Sequence, residues 1–198
     1  RLITAVAHGS FFAIGATGFI VGGALIGKFG LGSNPLRTML IAVLLMGFIG
    51  AVFTVREWAW LYIVGIWLYM ALVPVVEAAE QTVIQKVVPL PRQGRVFGFA
   101  MAFESAAAPI TAFLIAPIAQ FWIIPYARSE EGAASLAPLL GEGISRGIAL
   151  VFLAAGIIMI VVALIAFLTP VYRRVSASYA QTAAEERESQ DAESPSSH

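Results

Sequence analysis

The stretch IALVFLAAGIIMIVVALIAFL, Ile148–Leu168, carries no charged and no hydrogen-bonding side chain. A helix needs roughly 20 mostly apolar residues to cross the hydrocarbon core of a bilayer. Inside that core every backbone N–H and C=O has to be paired within the protein, which a helix achieves along its own length. The stretch therefore reads as a membrane-crossing helix. Four stretches upstream fit the same description, so spans are expected at about 2–27, 36–55, 58–80, 96–122 and 147–169. None shows the sustained period-two alternation of a barrel strand. The expected fold class is all-α integral membrane, with five transmembrane helices over residues 1–173 and a tail behind them.

Composition points the same way. Of 198 residues, 59% are hydrophobic and 12% charged, whereas a soluble domain carries about 25% charged residues. A formal net charge of +0 leaves no electrostatic footprint for nucleic acid. The absence of cysteine excludes a disulfide framework, a thiolate metal site and a cysteine nucleophile. No metal or cofactor is expected, because no His/Glu cluster has metal-ligand spacing and no Walker A pattern occurs. Asp191, the one aspartate, lies in the tail, which excludes an intramembrane aspartyl dyad. Ser10, after His8 and Gly9, lacks the context of a nucleophile, so the chain reads as a non-enzyme. Arg1 followed at once by an apolar run is no signal peptide; it reads as the start of a piece of a longer chain.

Basic residues sort the ends of the spans. Lys28, Arg37, Lys86, Arg92, Arg95, Arg173 and Arg174 flank one side; Arg56, Arg128 and Arg146 flank the other. The seven-to-three bias puts the first side, with the C-terminus, in the cytoplasm of a multi-pass cell-membrane protein. Residues 174–198 are rich in Ser, Ala and Glu, with Glu185, Glu186, Glu188, Asp191 and Glu193 against Arg187. Such a segment buries too little apolar surface to offset its ordering entropy, so a disordered cytoplasmic tail is expected.

Ionisable groups inside spans are costly, on the order of 3 kcal/mol each on insertion scales, and are functional candidates. Four occur: Glu77, Glu80, Glu104 and His8. Counted from Lys86 and Arg95, Glu77 and Glu104 both lie ~13 Å in along their helices. Buried carboxyls of this kind can carry protons. For Glu80 the simpler expectation is pairing with a flanking base, and for His8 a packing or interface role. Gly18 with Gly22, and Gly23 with Gly27, are small-xxx-small pairs that let helices approach closely. Spans 2 and 5 hold no charge and are expected against lipid; spans 1, 3 and 4 hold the polar groups, and Pro74, Pro109 and Pro117 add expected kinks.

The segment Gln85-Lys86-Val87-Val88-Pro89-Leu90-Pro91-Arg92-Gln93-Gly94-Arg95-Val96-Phe97-Gly98 resembles the loop between helices 10 and 11 of the major facilitator superfamily. The resemblance is closest to the drug-efflux branch with the macrolide and enterobactin exporters. Gly23-Ala-Leu-Ile-Gly-Lys-Phe-Gly30 is similar to the superfamily's glycine-bearing loop motif between helices 8 and 9, with Gly27 where the motif has aspartate. The resemblance covers about residues 1–173 and implies helices 8 to 12 of that fold. It also implies a proton-coupled exporter of drugs or other small molecules working by alternating access, and Gly23, Lys28, Gly30, Gly94 and Arg95 in gating loops. The partners implied are membrane lipid, protons, a small-molecule substrate and helices 1 to 7 of the fold. A non-transporting scaffold or complementing half-subunit is the other reading.

Overall fold

A computed structural model describes residues 2–52, 58–132, 145–179 and 181. Among the described residues there are helices and no strands. They run α1 (Leu2–Phe29), α2 (Pro35–Val52), α3 (Ala59–Val87), α4 (Leu90–Ile118), a π-helical turn (Ala119–Ile123), α5 (Ile124–Arg128), α6 (Ser145–Leu168) and α7 (170–179). Four segments are long and apolar enough to cross a membrane: Pro35–Val52, Trp60–Val87, Leu90–Tyr126 and Ala149–Leu168. In α1 the apolar stretch among the described residues is the shorter Gly15–Phe29. The described residues are thus all-helical, with the long apolar helices of a membrane protein.

Three helix pairs hold the bundle together: α1 on α3, α3 on α2, and α2 on α6. Glycines set two of the crossings. A Cβ added to Gly18 would lie 2.5 Å from the Trp67 carbonyl oxygen, and one added to Gly22 would overlap the Ala71 carbonyl. Both pairs are four residues apart, so one face of α1 lies directly on one face of α3. Trp67 Nε1 donates to Thr17 Oγ1 at 3.1 Å along the same seam. Gly23 and Gly27 have nothing within 4 Å of an added Cβ, so the second small-residue pair is not a contact in this bundle. At the α2–α6 crossing an added Cβ on Gly156 would sit 2.6 Å from the Gly47 carbonyl oxygen and 2.7 Å from the Ala51 nitrogen.

That crossing changes the expected division of helices. α2, expected against lipid, lies between α3 and α6 and buries Leu40, Ala42, Met46, Gly47, Gly50 and Ala51. α4, expected among the spans that hold polar groups, has no buried residue. It touches α3 only slightly and meets α6 mainly through the π-turn and α5. Hydropathy cannot separate a lipid contact from a helix contact, since both are apolar; small residues at the crossing decide which one forms.

The boundaries also differ from the expected ones. The third and fourth spans are joined by Val88 and Pro89 alone, with α3 running on to Val87 and α4 starting at Leu90. Proline is at home in the first turn of a helix, where its lacking N–H is not required, and Pro91 occupies that turn of α4. Gln93 Nε2 reaches back to the carbonyls of Gln85 and Val88, 2.9 Å to each. It thereby satisfies acceptors that the end of α3 leaves open.

The π-turn is equally local in origin. Ile124 N donates to Ala119 O, five residues back, just before Pro125, which has no N–H to give.

At the end of the bundle that carries Lys28, Arg37, Lys86 and Arg92, the α1–α2 loop is tightly specified. Gly30 and Gly32 have φ of 69° and 73°, the left-handed region that favours glycine. Gly30 N closes α1 on Ile26 O at 2.7 Å. Asn34 Oδ1 accepts from Arg37 N at 3.1 Å, capping α2, and Pro35 takes the first helical position. Asn34 Nδ2 donates to Ser176 Oγ at 2.5 Å, tying the loop to α7. Thr169, just before α7, caps it, its Oγ1 accepting from Tyr172 N at 3.3 Å.

The chain therefore continues past residue 173 as helix to 179, in place of the tail expected from 174. The physical reason is Tyr179. It is 5% exposed, and Lys86 Nζ lies 5.4 Å from its ring centroid. Residues 180 and 182–198, the rest of that expected tail, lie outside the described residues.

The Tyr179 hydroxyl is buried without a hydrogen-bond partner among the described residues. Burial holds its pKa above the ordinary phenol value. An unpaired buried hydroxyl costs about 1–3 kcal/mol. Tyr179→Phe keeps the ring under Lys86 and removes that cost, so docking of α7 should strengthen by up to ~1 kcal/mol. Protease protection of the segment around 173–181 checks this; a loss of protection contradicts it.

Candidate functional site: carboxylates on α3 and α4

α3 carries Glu77 and Glu80 in its second half, and α4 carries Glu104. Because the two helices meet at a two-residue turn, depth can be counted from that turn. At 1.5 Å per residue Glu77 lies ~15 Å from Val87 and Glu104 ~21 Å from Leu90. The expected equal depth is replaced by a stagger of about one helical turn, with Glu104 the deeper group. The expectation counted Glu104 from Arg95, which turns out to lie inside α4, beyond its first turn.

All three carboxylates are exposed on the surface of this chain. None of them forms an ion pair or hydrogen bond among the described residues. The pairing expected for Glu80 with Lys86, Arg92 or Arg95 is therefore not made there. Pro74, buried, lies one turn before Glu77. Around Glu104 the helix surface is aromatic: Phe99 and Phe103 stack with ring centroids 6.3 Å apart, and each is 72% exposed. Met101 and Phe113 are exposed as well. A helix with this surface is compatible with lipid on most of its circumference, but an exposed carboxylate ~21 Å from the helix start is not. Within a hydrocarbon core such a group needs water, a proton or a protein partner on its side of the helix.

The residues expected in gating loops fall in three places. Gly30 is in the α1–α2 loop, where its positive φ makes it structurally specific. Gly23 and Lys28 belong to α1, Gly23 half-buried and Lys28 exposed with Nζ 5.4 Å from the Phe29 ring centroid. Gly94 and Arg95 belong to α4, both exposed. Gly94, expected in a loop, is helical, has no positive φ, and has nothing within 4 Å of an added Cβ. The turn chemistry of that motif resides in Gln93 and Pro89 instead. His8 lies on α1, and its side chain falls outside the described residues.

Among the described residues no group of three or more His, Cys, Asp or Glu side chains is placed to hold a metal ion. The arrangement is one of separated carboxylates on helical surfaces. Compared with protein-family models, with curated proteins and with solved structures, the chain has no match.

Proposed function

We propose that this chain is part of a secondary active transporter, a proton-coupled exporter of drugs or other small molecules of the major facilitator type. The observation that carries the reading is Glu104. It is an exposed carboxylate in the middle of the apolar helix α4, without an ion pair or hydrogen bond among the described residues, and α4 has no buried residue of its own. A charge held there is retained at a cost of a few kcal/mol, on the order of 3, and such groups mark ion and substrate paths. A second wall of helices facing α4 covers the carboxylate, and rocking of the two walls gives alternating access. Five spans, with the basic end of the bundle in the cytoplasm, complete this reading.

The experiment is a proton measurement on the full-length protein in proteoliposomes. A panel of cationic and neutral drugs is added in the presence of a pH gradient, and the internal pH is followed. Drug-dependent, saturable collapse of the gradient is expected for at least one compound. No collapse across the panel, with the protein folded and inserted, favours the scaffold reading.

A further inference from the structure

A cavity of about 260 Å³ lies between α2, α3 and α6, away from the carboxylate-bearing surface of α4. Its wall is built from Met46, Met70 and Met159 together with Tyr62, Tyr69 and Phe152, and no charged residue contributes. Gly50 completes the wall. It is buried, yet a Cβ added to it meets nothing within 4 Å, so the glycine faces empty space. Its neighbours along the same crossing behave differently, since an added Cβ on Gly47 or Gly156 would meet the facing helix. The gap is therefore local to Gly50 and is not general looseness between α2 and α6. Met46 is 7% exposed and closes the interior; Tyr62 and Phe152, 41% and 45% exposed, stand at the rim.

Size and lining both constrain the occupant. An apolar cavity of about 150 Å³ stays dry and takes benzene; a volume of about 260 Å³ leaves room for a second ring. Methionine thioethers are polarizable, adapt their shape, and favour contact with aromatic ring edges. Tyr62, Tyr69 and Phe152 offer ring–ring contacts that a saturated chain cannot return. Tyr69 is half-buried, and its hydroxyl has no hydrogen bond among the described residues, so it is available as a donor. We propose that this cavity is a binding site for an uncharged bicyclic aromatic molecule carrying one hydrogen-bond acceptor. The site stands apart from Glu104 and does not depend on the transport reading.

The test uses 2-naphthol as probe and the protein's own methionines as reporters. The chain has five: Met46, Met70 and Met159 line the cavity, while Met39 and Met101 do not. With methyl-¹³C methionine in the full chain in lipid nanodiscs, saturable ring-current shifts are expected at Met46, Met70 and Met159 alone. Gly50→Phe fills the space with a built-in ring and should weaken binding at least tenfold. The wild-type shift map stands by itself should that variant fold poorly. Shifts at all five methionines, rising in proportion to probe concentration, overturn the proposal, because they report partition into lipid. Equal, saturable shifts with decane also overturn it, because they make the cavity a seat for a hydrocarbon chain.

Discussion

On the proposed transport reading, Glu104→Gln is expected to lower proton-driven export by about a hundredfold or more in the full-length protein, while expression and substrate exchange stay close to wild type. Loss of a positioned proton-transfer group typically costs about 10²–10⁴-fold in rate. The amide is nearly isosteric with the protonated carboxyl, so packing is preserved and only the exchangeable proton is lost. Glu80→Gln is the contrasting substitution. Glu80 lies within ~11 Å of the α3 end, near the interface, and its replacement should change export by less than about threefold. Uphill export and counterflow measured on the same vesicles separate coupling from binding. Equal coupled export in Glu104→Gln and wild type would reduce Glu104 to a structural group.

Gly22→Leu is expected to unfasten α1 from α3. Its Cβ alone would overlap the Ala71 carbonyl, and helix backbone cannot yield as a flexible side chain does. Overpacking of a close contact costs about 1–3 kcal/mol and sometimes more. The paired control is Gly27→Leu, five residues further along α1, where an added Cβ meets nothing within 4 Å. There the substitution removes a helix-destabilising glycine, worth roughly 0.5–1 kcal/mol, and stability should hold or rise. Thermal unfolding of the two variants in one detergent compares them directly. Similar midpoints for both would show that the Gly18–Gly22 face is not the α1–α3 seam.

Much of this architecture was legible in the residues, and the parts that were not share a cause. Apolar length and the lack of period-two alternation made the helical class plain. The Gly18–Gly22 spacing found a real crossing, but Gly23–Gly27, with the same spacing, found none. Spacing says that close approach is permitted; only the partner helix decides where it happens. Gly47 and Gly156 mark the α2–α6 crossing, yet in such uniformly apolar spans they carry no contrast to read. In sequence the α3–α4 turn reads as a long loop because Lys86, Arg92 and Arg95 look like loop residues. Charged side chains at helix ends are equally at home in helix, and Pro91 in the first turn was the available signal.

Two further misses were of another kind. Tyr179 is an aromatic in a polar stretch, and its neighbour Lys86 is distant in sequence. The aromatic and thioether cavity was hidden because Tyr62, Ile66, Tyr69 and Met70 follow helical spacing that ordinary core residues share. Glu77 and Glu104, by contrast, read as equally deep from Lys86 and Arg95; counted along the helices from the α3–α4 turn, Glu104 lies about one helical turn further.

The central claim is that the Glu104 side of α4 faces a polar path and the opposite side faces lipid. The chain has no cysteine, so once any cysteine elsewhere in the full-length protein is replaced by serine, single cysteines report without background. Ala100, Ala108 and Thr111 share the helix side of Glu104, whereas Ala102, Ala106 and Phe113 lie on the opposite side by helical period. In the full-length protein, a charged, water-borne thiol reagent should modify cysteines at the first three positions. It should leave the second three unreacted. Equal inertness on both sides, or reaction on the side opposite Glu104, would contradict the account.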